Sequence, residues 1–473
     1  MPFLKQLNHW ARHQPGATAI EVGVDRLSFA GLAARATGAL SEVTDGGGIR
    51  LLSLPNGLDF AVALTAGIAG DRAVAVLDPG WPVAQRDAVT ERLTAEGARR
   101  QPRPRPGSVP ALTDGRPDSV FLYGFTSGTT SLPKAFTRTR ESWRRSFEAG
   151  IDYFGLTRHD RTLAPGPLSS SLTLYAFAES LYAGGTFVTL PTFDLAAALA
   201  CVANRGINRL VVVPTVLRLL SERGLAGGVD GRGLTSIISA GAGLDPATLA
   251  AARRFAPNAT IHEYYGAAEL SFIAASTLRP GDAPRADAAT VGRAFPGVSL
   301  SIRDEAGREL PRNETGTIFV RSALVSSGYS WGDDGEAFRR DGDWCTVGDL
   351  GFLDRDDVLH FRGRRADMIV TSGQNVYPQE VEAALRGLPG VASVVAVGVP
   401  DARRGTRVIV AVLGGPEVDG AALRRAAASL AEAKRPRSYY RLAALPLAPS
   451  GKLSRRLLAR WITEGDPRVT ALD

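Results

Sequence analysis

Ten residues, Phe125 to Lys134, read FTSGTTSLPK: the hydroxyls of Thr126, Ser127, Thr129 and Thr130 surround Gly128, and a lysine ends the run. Hydroxyls and exposed backbone amides on a glycine turn form a concavity for phosphate oxygens, and the terminal ammonium adds a full charge. The spacing is not that of a Walker A loop, so the run is a phosphate loop by its chemistry. Its lysine stands out because the chain holds 51 arginines and only 4 lysines. Arginine is a wide planar fork, whereas lysine is a compact charge on a flexible stem, suited to reaching one phosphate or carboxylate oxygen in a tight pocket. Lys134 and Lys452, the latter in PSGKLSRR, therefore read as lysines retained for chemistry. Lys434, in AKRPR, and Lys5 carry no task that the sequence supplies.

Such groups need a scaffold, and the chain alternates strand and helix patterns. VFLYGF leads into the loop as an apolar strand. IRLLSL from Ile49, AVAVLD from Ala73 and LVVVP from Leu210 are further short β-type runs, separated by alanine-rich amphipathic segments. That alternation reads as βαβ units around parallel sheets. Residues 100–118 are rich in proline and arginine and lack periodicity, as in a linker or surface loop. After Asp349, GFLDRDDVLHFRGRRADMIV holds two β-type runs joined by charged turns, and SGQNVYPQEVEAALR ends as a helix. We place a domain boundary at Arg364, dividing the chain into residues 1–364 and 365–473. The second part, with the strand-like VASVVAVGVP and RVIVAVL and a helix expected from Gly420 to Lys434, suits a small α+β domain.

A length of 473 residues fits two or three domains. With 44% hydrophobic and 22% charged residues and 52 glycines, the composition is that of an α/β enzyme rather than a disordered or fibrous chain. Cys201 and Cys345 are too few for a disulfide framework and lack metal-ligand spacing, which makes a reducing cytoplasm the simplest compartment. MPFLKQLNHWARHQPG lacks the apolar run of a signal peptide, and no later segment approaches the length that spans a bilayer, so a soluble protein is expected. A net charge of +7 and a pI near 9.6 favour anionic partners. The arginines are scattered rather than gathered into a basic stripe with interleaved aromatics, which points to nucleotides or an acidic protein and away from nucleic acid.

The run at 125–134 resembles the signature of the adenylate-forming (AMP-binding) superfamily, which includes acyl-CoA synthetases, stand-alone adenylation domains and luciferases. Further segments resemble its landmarks in order: AGIAGDRAVAVLDPGWP ending at Pro82, SAGAGLD from Ser239, EYYGAAEL from Glu263, TVGDLG from Thr346, GRRADMIVTSGQNVYPQEVE from Gly363 and PSGKLSRR from Pro449. One such match is weak; six in register are specific. The resemblance implies an α/β fold with a large N-terminal domain of parallel-sheet and helix layers, a small β-subdomain, and a small mobile α+β C-terminal domain. It places Gly241, Ala242, Gly243, Tyr264, Tyr265 and Gly266 in the nucleotide pocket, where Gly266 admits close backbone approach to a flat ring that Tyr265 stacks on. Glu269 offers a hard oxygen ligand for the Mg²⁺ of ATP. Asp349 is implied to accept the ribose hydroxyls, through charge-assisted bonds each contributing about 1.5 to 3 kcal/mol, with Arg364 as a second contact. Lys134 is implied to hold the departing β- and γ-phosphates.

Lys452 is implied to be the mobile ammonium that bridges carboxylate and phosphate as negative charge builds on the α-phosphorus. The small domain then rotates, and Ser372, Gly373 and Gln374 line the approach of a thiol. The sequence departs from the family pattern at Ser131 and Ala135, where glycines are usual, at Ala268 in place of a phosphate-contacting threonine, and at Ala366 in place of an aspartate or lysine at the hinge. In PLSSSLTLYAFAESLYAGG, Ser169, Ser170 and Ser171 either line the acid's pocket or cap a helix. No aspartate is present there for an α-amino group, whose unpaired burial would be costly. The expectation is an ATP-dependent ligase that activates a small-molecule carboxylic acid as an acyl-adenylate and then forms a thioester with coenzyme A. The alternatives are a stand-alone enzyme loading an acyl or aryl acid onto the phosphopantetheine of an acyl carrier protein, and a degenerate nucleotide-binding homologue without catalysis.

Overall fold

The computed structural model describes residues 3–41, 49–99, 111–126, 132–283, 290–333, 335, 338–371, 374–401, 405–447 and 453–472. The chain forms two compact units. One comprises Met1–Leu300, Phe319–Val347 and Asp357–Leu359; the other comprises Ser301–Ile318, Gly348–Asp356 and His360–Asp473.

Within the first unit, apolar runs expected as strands assemble into two sheets. In the smaller, strands Ile49–Leu52, Ala73–Val76 and Val120–Thr126 run parallel, and Lys134–Thr139 and Gly328–Trp331 add antiparallel. All four residues of Ala73–Val76 are buried, as befits a parallel strand covered on both faces. In the larger sheet, Thr260–Ala267, Ser236–Ala240, Arg209–Val212, Arg161–Leu163, Thr186–Thr189 and Thr18–Val22 are successive parallel neighbours. Strand Ser271–Leu278 pairs antiparallel with Thr260–Ala267.

Several helices begin where the sequence provides an acceptor for their orphan amides. Thr139 accepts from Ser142 N ahead of helix Arg140–Phe154. Asp194 does so for Leu195–Asn204, and Asp245, followed by Pro246, for Pro246–Phe255. Between helices Arg140–Phe154 and Ser171–Ala183 and the sheet lies an aromatic core that includes Trp143, Phe147, Phe154, Phe177 and Phe272.

The second unit contains a four-stranded sheet in the order Val391–Asp401, Gly405–Gly414, Ser438–Leu442, Val469–Leu472, with helices Pro378–Leu385, Gly420–Ala427 and Arg455–Glu464. Alternating valines of the first two strands divide between two apolar clusters on the sheet's faces. One element is shorter than its sequence suggests. The helix expected from Gly420 to Lys434 ends at Ala427, and a separate 3-10 turn covers Glu432–Lys434. Arg435 explains the break: its guanidinium donates to the Ala428 and Leu430 carbonyls, at 2.9 Å each, which a continuing helix would need for itself. No described helix is long and apolar enough to cross a membrane. Cys201 and Cys345 are buried free thiols.

Candidate active site

The phosphate-loop sequence is framed by a β-ladder in the first unit. Val120–Thr126 and Lys134–Thr139 pair antiparallel, and Thr126 lies directly opposite Lys134. The loop's first hydroxyl and its final ammonium are thereby fixed as neighbours, although Ser127, Gly128, Thr129, Thr130 and Ser131 lie outside the described residues. Only 8% of Lys134 is exposed. Gly332, at φ 80°, runs close beside it: a Cβ there would meet the Lys134 stem at 3.0 Å. Ala135, where the family pattern has glycine, is buried within the ladder, between Phe125 and Trp331 as its partners.

Glu269 is delivered to the same corner by a tight hairpin. Strands Thr260–Ala267 and Ser271–Leu278 are joined by Ala268, Glu269 and Leu270, with Leu270 N donating to Ala267 O at 3.1 Å. Ser271 takes φ 63° to close the hairpin, a left-handed conformation unusual outside glycine. Its hydroxyl bonds Ser146 at 3.0 Å, which in turn bonds Tyr175. Gly266 is required here on steric grounds, since a Cβ would sit 2.4 Å from the Ser271 carbonyl oxygen. Consecutive strand residues face opposite ways. Tyr264 accordingly packs edge-on against Phe272 in the aromatic core, 4.7 Å between centroids, while Tyr265 faces the other side.

Two residues that sequence reasoning passed over hold this corner. Tyr329 donates its phenolic hydrogen to Glu269 Oε1 and lies 3.2 Å from Thr126 Oγ1. Lys134 Nζ is 6.0 Å from the centre of the Tyr329 ring, within cation–π reach. Burial, and then the charge of Glu269, push the Tyr329 phenol well above its ordinary range, so it stays a neutral donor. Arg138 is 3% exposed, and its guanidinium donates to the carbonyls of Ala268 and, at 2.5 Å, Leu324. Burial lowers its pKa to about 10, with Glu269 opposing that shift, so it remains a cation. A signal for Arg138 was present, because strand alternation in KAFTRT puts Lys134, Phe136 and Arg138 on one face. For Tyr329 there was none: only the pairing of Tyr329 with Phe136 brings it in.

At the carboxyl end of Ser236–Ala240, Gly241 takes φ 92° and the chain turns sharply. Leu244 N then donates to Glu263 Oε1 at 2.7 Å. This fixes Gly241, Ala242 and Gly243 beyond the end of a parallel strand and beside Tyr264, which pairs with Ala240. The ends of parallel strands are where open α/β sheets bind ligands. Ser170 is the N-cap residue of helix Ser171–Ala183, yet its hydroxyl bonds Thr173 Oγ1 at 3.1 Å rather than a backbone amide. Ser169 is partly buried and Ser171 exposed.

The second unit brings Asp349 and Arg364 together. Asp349 opens strand Asp349–Leu353 after Gly348 at φ 74°, is 1% exposed, and has Arg364 Nε 3.3 Å from Oδ1. The Gly348 carbonyl accepts Arg365 N at 3.0 Å, which holds the two strands in register. Gln374 is exposed in the short hairpin of Ile369–Thr371 with Gln374–Val376; Ser372 and Gly373 lie outside the described residues. So does Lys452, but the ends of its loop are described. Leu447 bridges Leu453, Ser454 N donates to Pro446 O at 2.7 Å, and Arg455 pairs with Glu382 at 2.7 Å. Lys434 sits in an ion pair, its ammonium 2.7 and 2.8 Å from the two oxygens of Glu380.

Among the described residues no three His, Cys, Asp or Glu gather as a metal cage. A single carboxylate with a neighbouring hydroxyl fits Mg²⁺, which commonly takes one or two protein carboxylates and completes its shell with water and substrate phosphates.

Comparison with known proteins gives the same outline. Residues 83–330 match the AMP-binding enzyme family and residues 380–452 the AMP-binding enzyme C-terminal domain. The chain is 34% identical over 349 residues to the uncharacterized acyl-CoA ligase YhfT of Bacillus subtilis, a match covering 74% of this chain and 70% of that protein. Its fold is similar to that of ATP-bound MatB from Rhodopseudomonas palustris (TM-score 0.82, 24% identity, covering 98% of this chain and 99% of that one). It is also similar to the amide bond synthetase McbA from Marinactinospora thermotolerans (TM-score 0.80, 27% identity, covering 97% and 99%).

Proposed function

Because the chain belongs to the AMP-binding enzyme family, we propose that it is an AMP-forming ligase that joins a carboxylic acid to the thiol of coenzyme A. The observation that carries this reading is the corner where Thr126 and Lys134 face each other across one ladder with Glu269 bridged to Thr126 by Tyr329. A cation, hydroxyls and one carboxylate in that arrangement suit a triphosphate and its divalent ion. In the first half-reaction a carboxylate oxygen bonds to the α-phosphorus of ATP while the bond to the bridging oxygen breaks and pyrophosphate leaves. In the second, the thiol sulfur bonds to the acyl carbon and AMP leaves. Lys134 offsets charge on the leaving phosphates, Asp349 and Arg364 hold the ribose, and Lys452, in a C-terminal domain starting at residue 365, offsets the charge between the two approaching anions. Mg²⁺, held through Glu269, supplies further charge neutralisation on the phosphates.

Exchange of labelled pyrophosphate into ATP, measured across a panel of carboxylic acids, tests this reading. Exchange that depends on an acid is expected; its absence with every acid would favour a nucleotide-binding homologue without catalysis. Lys452→Ala should lower exchange by roughly 10² to 10³ yet still convert a supplied acyl-adenylate to thioester. Comparing free coenzyme A with the phosphopantetheine of a carrier protein then decides the acceptor. The likeness to an amide bond synthetase favours an amine acceptor as the second reading, so amines belong in the same comparison.

A further inference from the structure

The hydrogen-bonded chain Thr126–Tyr329–Glu269 does something that the family motifs leave unassigned. Glutamate has three rotatable side-chain bonds, and at position 269 the backbone alone is already fixed. Ser326 N donates to Glu269 O at 2.7 Å, Arg138 holds the preceding carbonyl of Ala268, and Arg340 holds Ser326 O at 2.8 Å. None of these bonds touches the Glu269 carboxylate. The phenol of Tyr329 does, and it comes from a different strand, Gly328–Trp331, anchored to the one that begins with Lys134.

The direction of the chain follows from proton counting. A neutral phenol has one hydrogen; a carboxylate has none to give, so the phenol's hydrogen goes to Glu269 and its oxygen accepts from the Thr126 hydroxyl. The remaining acceptor sites of the carboxylate are oriented by that one bond. A Phe at 329 would fill the same space and supply neither bond.

We propose that Tyr329 is a positioning residue: it aims the Glu269 carboxylate at a divalent cation and couples that carboxylate to the first hydroxyl of the phosphate loop. The inference rests on the reading of Glu269 as the cation's ligand. It predicts that ATP binds more tightly with Mg²⁺ than without by a margin that depends on the Tyr329 hydroxyl.

Calorimetric titration of the full-length protein with ATP, once with Mg²⁺ and once with a chelator, measures that margin without turnover. Tyr329→Phe keeps the ring beside Lys134 and removes only the hydroxyl. It should lose about tenfold of the Mg²⁺-dependent gain, the scale expected when a metal ligand loses its orienting partner, and leave metal-free ATP affinity within about twofold. Thr126→Val, which cuts the chain at its other end, should lose about threefold of the gain. If Tyr329→Phe weakens ATP equally with and without Mg²⁺, or changes neither, Tyr329 is a packing residue and the inference fails. An unchanged gain in Thr126→Val would overturn the coupling to the loop. Glu269→Gln separates the two readings: if it leaves the gain intact, the assignment of Glu269 is wrong. If it abolishes the gain while Tyr329→Phe does not, only the role of Tyr329 is wrong.

Discussion

Glu179 and Glu269, both in the first unit, are similarly hidden, at 2% and 7% exposure, yet their partners differ in kind. Glu179, on helix Ser171–Ala183, meets the Arg209 guanidinium at 2.8 Å, and both side chains are at least nine-tenths buried. Its charge is spent on a fixed cation. Even so, burial raises its carboxyl above the ordinary range, with Arg209 only partly offsetting the cost. Glu269 instead accepts a hydrogen bond from a neutral phenol, and the buried Arg138 guanidinium, which bonds backbone carbonyls, acts on it electrostatically. Glu179, hydrogen-bonded to a buried guanidinium, belongs to the architecture; on the proposed reading Glu269, hydrogen-bonded to a neutral phenol, is the carboxylate that serves a ligand. Lys434 is paired with Glu380 in the second unit, and Lys134 lies opposite Thr126 in its ladder and beside the Tyr329 ring.

The largest effect expected from this contrast is on stability. Glu179→Ala strands Arg209 in the core and should cost about 3–5 kcal/mol of unfolding free energy, read by denaturant titration. The double variant Glu179→Met/Arg209→Met should recover most of that loss, because replacing both members of a buried pair with apolar groups is often neutral. If single and double variants are equally unstable, the two residues are not acting as a pair.

A smaller effect concerns pH. His262 bonds Thr277 at 3.0 Å and packs against Tyr153 and Phe154, and burial, then Arg209 and Arg279, lower its pKa to about 4. The unfolded chain, near 6.5, binds the proton more readily, so stability is complete above about pH 6.5 and falls as the pH drops toward 4. Between pH 7 and 5 the loss is about 2 kcal/mol, and His262→Gln should flatten that slope. An unchanged slope would show that the histidine does not titrate across this range. Smallest of all, Lys434→Met, at a pair about one-third exposed, should change stability by no more than about 1 kcal/mol in the same titration.

Much of the fold was legible because apolar runs, caps and glycine turns act locally. Ile49–Leu52, Ala73–Val76 and Arg209–Val212 are strands where the apolar runs placed them. The helix stops at Ala427, short of the expected Lys434, because the Arg435 side chain folds back onto the Ala428 and Leu430 carbonyls, a side-chain choice that the pattern of apolar residues does not reveal. Of the candidate site, the strand that leads into the loop was legible; its antiparallel pairing with Lys134–Thr139, which sets Thr126 opposite Lys134, was not. Nor was the arrival of Tyr329, because it depends on pairing between segments far apart in the chain. Gly266 was expected to admit a flat ring; the constraint seen there is a different one, the closeness of the Ser271 carbonyl across the hairpin.

On the proposed reading Glu269 serves the nucleotide and Glu179 serves the fold. Acid-dependent exchange of pyrophosphate into ATP, measured beside melting temperature for Glu269→Gln and Glu179→Gln, tests it most directly. Glu269→Gln should lose roughly 10²-fold in exchange with a smaller fall in melting temperature than Glu179→Gln, and Glu179→Gln should melt lower but exchange normally per folded molecule. The reverse pattern, or equal loss of exchange in both variants at temperatures where both are folded, would contradict it.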